Sequence, residues 1–119
     1  MTEADKKSRN KSRNALSMVA LARRAGKIVS GEDSCHRAIR NGEALLVILA
    51  SDCSDNTRKK FRDKTKFYNV PIIEHFTKDE ITTHTGLQNR ATIAVTDANF
   101  AAKIKDLTNV LDADSGQVI

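Results

Sequence analysis

The chain has 119 residues, enough for one hydrophobic core and too few for two cores with a linker. Hydrophobic residues make up 39% and charged residues 29%, which predicts a folded soluble domain rather than a disordered chain. The longest apolar run, Ala44 to Ala50, is far short of the ~20 residues of a membrane-spanning helix, and nothing near the start resembles a signal peptide, so a cytoplasmic protein with no membrane partner is expected.

Twenty Lys and Arg against fifteen Asp and Glu give a formal charge of +5, which favours an anionic partner. The charge is uneven: residues 1–66 sum to +8 and residues 67–119 to −3. The first fourteen residues hold Lys6, Lys7, Arg9, Lys11 and Arg13 among Ser and Asn, and are expected to form a mobile basic arm. A helix is predicted from about Asn14, with Leu16, Val19 and Ala20 on one face, to Gly26, followed by a short extended piece at 27–30. Gly31 opens a second helix with Glu32 and Asp33 in its first turn and Cys35, Ala38 and Ile39 on one face, and Asn41-Gly42 ends it.

Ala44 to Ala50 is continuously apolar and reads as a central strand covered on both faces. A basic helix follows over 55–68, with Phe61, Thr65 and Tyr68 inward and Arg58, Lys59, Lys60, Arg62, Lys64 and Lys66 around the rest. Val70 to Phe76 is a further strand whose Pro71 marks an edge or a first residue. Thr77 and Glu80 form a capping box for a helix ending before Gly86. Thr92 to Thr96 is an interior strand. Asp97 caps a last helix with Phe100, Ile104 and Leu107 inward, and 108–119 has too little pattern to assign. The alternation predicts an α/β fold, a three-layer α/β/α sandwich with a central mixed sheet, as one domain over 15–107 between the arm and a C-terminal tail.

No catalytic, metal or cofactor motif emerges. Ala25-Gly26-Lys27 lacks the Ser or Thr that follows the Lys of a phosphate-binding loop, and the earlier Gly. Cys35 and His36 are sequence neighbours and point about 100° apart on a helix; the sequence places no Cys or acidic residue at a metal-ligand spacing from His75 or His84. Cys35 and Cys53 read as free thiols.

The most specific stretch is Lys27 to Gly42 with the strand that follows it. Together with Leu21-Ala22-Arg23-Arg24-Ala25-Gly26, Ala50-Ser51-Asp52, Tyr68-Asn69-Val70-Pro71 and Ala94-Val95-Thr96-Asp97, it resembles the L7Ae family of ribosomal proteins over about residues 15–105, most like its bacterial YlxQ-type branch. The resemblance implies a compact α/β/α sandwich, no catalysis, no cofactor, and binding of structured RNA, in the best-known members a kink-turn. In those members the helix after the glycine begins with Asn-Glu and has a Lys three residues beyond the Glu, and these side chains read sheared G·A pairs. The matching positions here are Asp33, Ser34 and Arg37. The family's second RNA-contacting loop corresponds to Gly86 to Ala91, with Leu87 near an extruded base and Arg90 near phosphate.

Asp33 accepts hydrogen bonds but cannot donate as an Asn amide does, and Ser34 is too short to reach where a Glu carboxylate would. Both changes argue against kink-turn reading in the usual way. Arg37 keeps the charge and adds planar donors. The expected function is non-enzymatic binding of structured or ribosomal RNA through Gly31, Asp33, Ser34, Arg37, Leu87, Gln88, Asn89 and Arg90, with phosphate contacts from Arg24, Lys27 and the arm. A protein-interaction module within a translation or ribonucleoprotein assembly is the alternative. A small enzyme with a Cys35 or Cys53 nucleophile is a third reading, and it requires an unusually reactive thiol.

Overall fold

The computed structural model describes residues 3–88 and 90–114, with side chains placed for residues 13–88 and 90–109. Five helices and four strands follow one another as α1 (Glu3–Arg24), β1 (Ile28–Ser30), α2 (Glu32–Arg40), β2 (Leu46–Leu49), α3 (Asp55–Tyr68), β3 (Ile72–Ile73), α4 (Lys78–Thr85), β4 (Thr92–Val95) and α5 (Ala98–Asp114). The strands form one sheet in the order β1-β4-β2-β3. β4 is antiparallel to both neighbours, pairing Val29 with Ala94 on one side and Val47 with Ala94 on the other. β3 joins β2 in parallel, with Val47 opposite Ile72, so the sheet is mixed.

Every residue of β2 and β4 is buried, which requires cover on both faces. α1 packs on α4 and α5, and α2 packs on α3; these two groups are the outer layers of an α/β/α sandwich. Between them lie Leu46, Ile48, Leu49 and Ile93 of the sheet with Leu16, Ile39, Phe61, Ile81 and Ile104 of the helices, all fully buried.

Local signals explain most element ends. The Ser54 hydroxyl caps α3 by accepting from the Thr57 N–H at 3.1 Å. Thr77 and Glu80 make both hydrogen bonds of a capping box at the start of α4, and the Asp97 carboxylate accepts from the Phe100 N–H at 3.0 Å. Pro71 stands just before the edge strand, where its carbonyl accepts from the Val47 N–H at 2.9 Å and its missing N–H costs nothing.

The sequence reading departs from the structure at four places, one of them the strand expected over Val70 to Phe76, which is only Ile72–Ile73. α1 begins at Glu3 rather than Asn14, because Lys, Arg, Glu and Ala are good helix formers and extending a helix already packed at Leu16 and Val19 needs no new nucleus. α5 runs past Leu107 to Asp114. Thr108 looks like the end of the apolar pattern, yet it is buried and its hydroxyl donates to the Ile104 and Lys105 carbonyls, a back-bond that lets a polar residue sit inside a helix interface. Tyr68, expected inward, is exposed at the last residue of α3, where Asn69 at φ 62° ends the helix.

Both cysteines are free and buried. Burial pushes the Cys35 thiol up to about 11, with its sulfur 3.8 Å from the Val29 carbonyl, and burial raises Cys53 as well. A raised thiol is the opposite of an activated nucleophile. Native protein at neutral pH is expected to alkylate slowly at both positions, Cys35 with about a hundredfold less thiolate than an ordinary cysteine, and full reactivity to appear only in denaturant. A fast native reaction at either thiol, read by mass spectrometry, would contradict this.

Candidate functional site

The end of β1 and the start of β4 fix the local geometry. The Gly31 N–H donates to the Thr92 carbonyl at 3.0 Å, extending the β1–β4 ladder by one rung beyond Ser30. The chain then turns into α2 with Gly31 as N-cap at φ 93° and ψ 153°, a conformation that favours glycine. The Gly31 carbonyl accepts from the Cys35 N–H at 3.0 Å. No side chain caps this helix, so the N–H groups of its first turn face outward without a side-chain acceptor.

Arg90 arrives on the neighbouring strand's approach. Its guanidinium Nη1 lies 2.9 Å from where a Cβ on Gly31 would stand. The missing side chain is therefore needed twice, for the backbone angle and for the space that Arg90 occupies. Ser30, Gly31, Glu32, Asp33, Ser34 and Arg90 line a depression of about 350 Å³. Arg90 has no ion pair among the described residues. Glu32 leans towards α3, where its carboxylate accepts a long hydrogen bond of 3.4 Å from the Thr57 hydroxyl.

A second hollow, of about 480 Å³, lies between α2 and α3 and is lined by Asp33, His36, Arg37, Arg40, Lys60 and Lys64. The His36 ring stacks on Phe61 with centroids 4.3 Å apart and planes 11° from parallel. Burial lowers the His36 pKa, Lys64 and Lys60 push it in the same direction, and Glu32 and Asp33 oppose them. Its buried Nδ1 makes no hydrogen bond.

The residues singled out in the sequence thus divide. Gly31, Asp33, Ser34 and Arg90 come together at the N-terminus of α2. Arg37 sits a turn further along α2, in the second hollow, and Asp33 borders both hollows. Leu87 is half-buried against the core, with its carbonyl accepting from the Thr82 hydroxyl at 2.9 Å and its N–H donating to the Thr85 hydroxyl at 3.2 Å. Gln88 is exposed, and Asn89 lies outside the described residues. Arg24 and Lys27 are exposed and line neither hollow. Arg23 serves the fold instead, donating to the Thr85 carbonyl at 2.9 Å to satisfy the end of α4. Arg40 and His36 are not placed at the site by the sequence, and Lys60 and Lys64 enter only as part of the basic helix over 55–68. The pairs Arg37/Arg40 and Lys60/Lys64 stand at helical spacings of three and four, which places each pair on one face and is the signal that could have found them.

Among the described residues, no group of three or more His, Cys, Asp or Glu could hold a metal ion, and no helix is long and apolar enough to cross a membrane. Residues 13–105 match the model of the ribosomal protein L7Ae/L30e/S12e/Gadd45 family. The chain is 42% identical over 93 residues to the RNA-binding protein YlxQ of Enterococcus faecium, covering 78% of this chain and 89% of that one. A Bacillus halodurans protein of unknown function has the same fold with a TM-score of 0.77 at 35% identity, over 80% of this chain and 96% of the other. The 15.5 kD RNA binding protein of Giardia lamblia superposes with a TM-score of 0.70 at 16% identity, over 88% and 90% of the two chains, a likeness of fold. The sandwich, the glycine that opens α2 and these matches lead to one conclusion: the chain belongs to the ribosomal protein L7Ae/L30e/S12e/Gadd45 family.

Proposed function

We propose that this protein binds folded RNA, ribosomal RNA included, through the N-terminus of α2 and the loop that carries Arg90, and that it acts as a binder rather than an enzyme. The observation that carries this reading is the Arg90 guanidinium, free of any ion pair among the described residues and lying over Gly31 at an uncapped helix start. Outward N–H groups and a planar cation together make a phosphate-binding corner. The name of the Enterococcus relative, an RNA-binding protein, supports the same ligand class.

Asp33 and Ser34 shape what is recognised. A carboxylate at Asp33 accepts from guanine N–H groups and repels phosphate, while the Ser34 hydroxyl reaches only close partners. Recognition therefore rests more on the RNA backbone and its shape than on base edges. Lys6, Lys7, Arg9, Lys11 and Arg13 add sequence-independent attraction at the N-terminus of the chain.

Gel shifts with a kink-turn RNA and a plain hairpin at two salt concentrations test the reading. Both RNAs are expected to bind at low salt with steep loss as salt rises, and Arg90→Ala is expected to weaken binding about tenfold or more, the worth of one charge-assisted hydrogen bond. If neither RNA binds at low salt, the proposal is wrong. Gly31→Ala is expected to lower stability by about 1–3 kcal/mol through the forbidden backbone angle and to weaken RNA binding by displacing Arg90. Urea unfolding measures the first effect and the gel shift the second; unchanged values in both would show that the glycine is dispensable.

A further inference from the structure

Five of the six cations of α3 form two sets, with Lys66 outside both. Arg58 pairs with Asp55 at 3.0 Å and with Glu74 at 3.3 Å, Arg62 pairs with Glu74 at 2.8 Å, and Lys59 pairs with Asp63 at 3.0 Å. These charges are met by the protein's own acids. Lys60 and Lys64, on the flank that faces α2, have no ion pair among the described residues, and neither do Arg37 and Arg40 opposite them. Four unpaired cations border one hollow of about 480 Å³, and among the described residues Asp33, at its end towards Gly31, is the one acid that lines it. Like charges gathered around a hollow repel one another and focus a positive potential into it, which a bound polyanion relieves.

Phe67 prolongs the same stripe. Residues 60, 64 and 67 share a face of a helix, and the Phe67 ring is 81% exposed, with Tyr68 edge-on to it at 5.0 Å. Most large apolar side chains of this protein are buried. An exposed ring one turn beyond two unpaired lysines offers a stacking face for a base whose phosphates lie among cations. Asp33 borders both hollows, so the two are adjacent and an RNA strand leaving the Gly31 corner reaches this one past a single carboxylate.

We infer that the cleft between α2 and α3 is a second RNA-contacting surface that takes a single-stranded flank of the bound RNA, with phosphates held by Arg37, Arg40, Lys60 and Lys64 and a base stacked on Phe67. The inference rests on the RNA-binding reading and assigns the α2 corner to the folded part of the RNA and the cleft to the strand that leaves it. An acidic protein segment would match the charge, but alternating phosphates and bases match both the cations and the ring.

Fluorescence anisotropy with a hairpin RNA, blunt or carrying a short oligouridine flank, tests this over a range of salt. For the unmodified protein the flank is expected to tighten binding and to steepen the log–log salt slope by about 1.4, two single-strand phosphates at about 0.7 each. Lys60→Gln/Lys64→Gln should remove that increment, and Phe67→Ala should weaken binding of the flanked hairpin roughly tenfold with the slope kept. The blunt hairpin should bind all variants alike. Lys103→Gln/Lys105→Gln, an equal loss of charge on α5, should retain the full increment. In NMR titrations the flanked RNA should raise the His36 pKa, since its phosphates oppose Lys60 and Lys64.

A flank that adds nothing, or equal losses in the α3 and α5 double variants, overturns the inference while leaving the α2 corner in place. Loss of polyglutamate binding in the α3 double variant with RNA affinity intact would assign the cleft to an acidic protein and also overturn it. If the unmodified protein binds neither hairpin at low salt, the RNA reading fails and the inference fails with it.

Discussion

One hydrogen bond organises the functional end of this molecule: the Gly31 N–H on the Thr92 carbonyl. It is the last rung between an edge strand and the central strand β4. Because it is made by the residue that also caps α2, the helix cannot start anywhere else relative to the sheet. Thr92 is in turn two residues from Arg90, so the same rung sets where that guanidinium arrives. A buried, doubly flanked strand is the most rigid part of a sheet protein, and the candidate site inherits its precision from β4 although most of its side chains lie on the surface.

Charge is sorted with similar economy. Glu74 follows β3 and engages both Arg58 and Arg62, which ties α3 to the sheet on one side and leaves Lys60 and Lys64 unmatched on the other. Exposed ion pairs add little stability individually. Their effect here is directional: they cancel positive potential on the face towards β3 and leave it standing on the face towards α2. Composition alone reports a basic helix, whereas the fold shows Arg58, Lys59 and Arg62 matched by acids and Lys60 and Lys64 unmatched on the flank that faces α2.

The sequence was legible where a signal was local. Gly31, the Thr77–Glu80 box, Asp97 and the apolar run ending at Ala50 each specify their own geometry within a few residues, and the order of elements followed from them. The resemblance added the pairing of the α2 start with the Arg90 loop, 59 positions apart in the chain, which no local pattern contains. What escaped was either cumulative or long-range. The start of α1 depends on propagation from a helix already packed, and the burial of Thr108 depends on a hydroxyl back-bond against α1's layer. The division of the α3 cations needed the position of Glu74 in space, since nothing in the run from Arg58 to Lys66 distinguishes the paired from the unpaired.

The two outer strands have a further consequence. β1 is three residues long and β3 is two, with Pro71 directly before it and Glu74 just after, in an ion-paired cluster. Short edges, proline and charge deny an incoming chain the row of free backbone groups it would need to add a strand. Polyanions gather basic proteins at high local density, the condition under which open sheet edges begin to join. A sheet that ends this abruptly offers no edge on which a second copy could extend it, so crowding on a polyanion would not by itself join one sheet to the next.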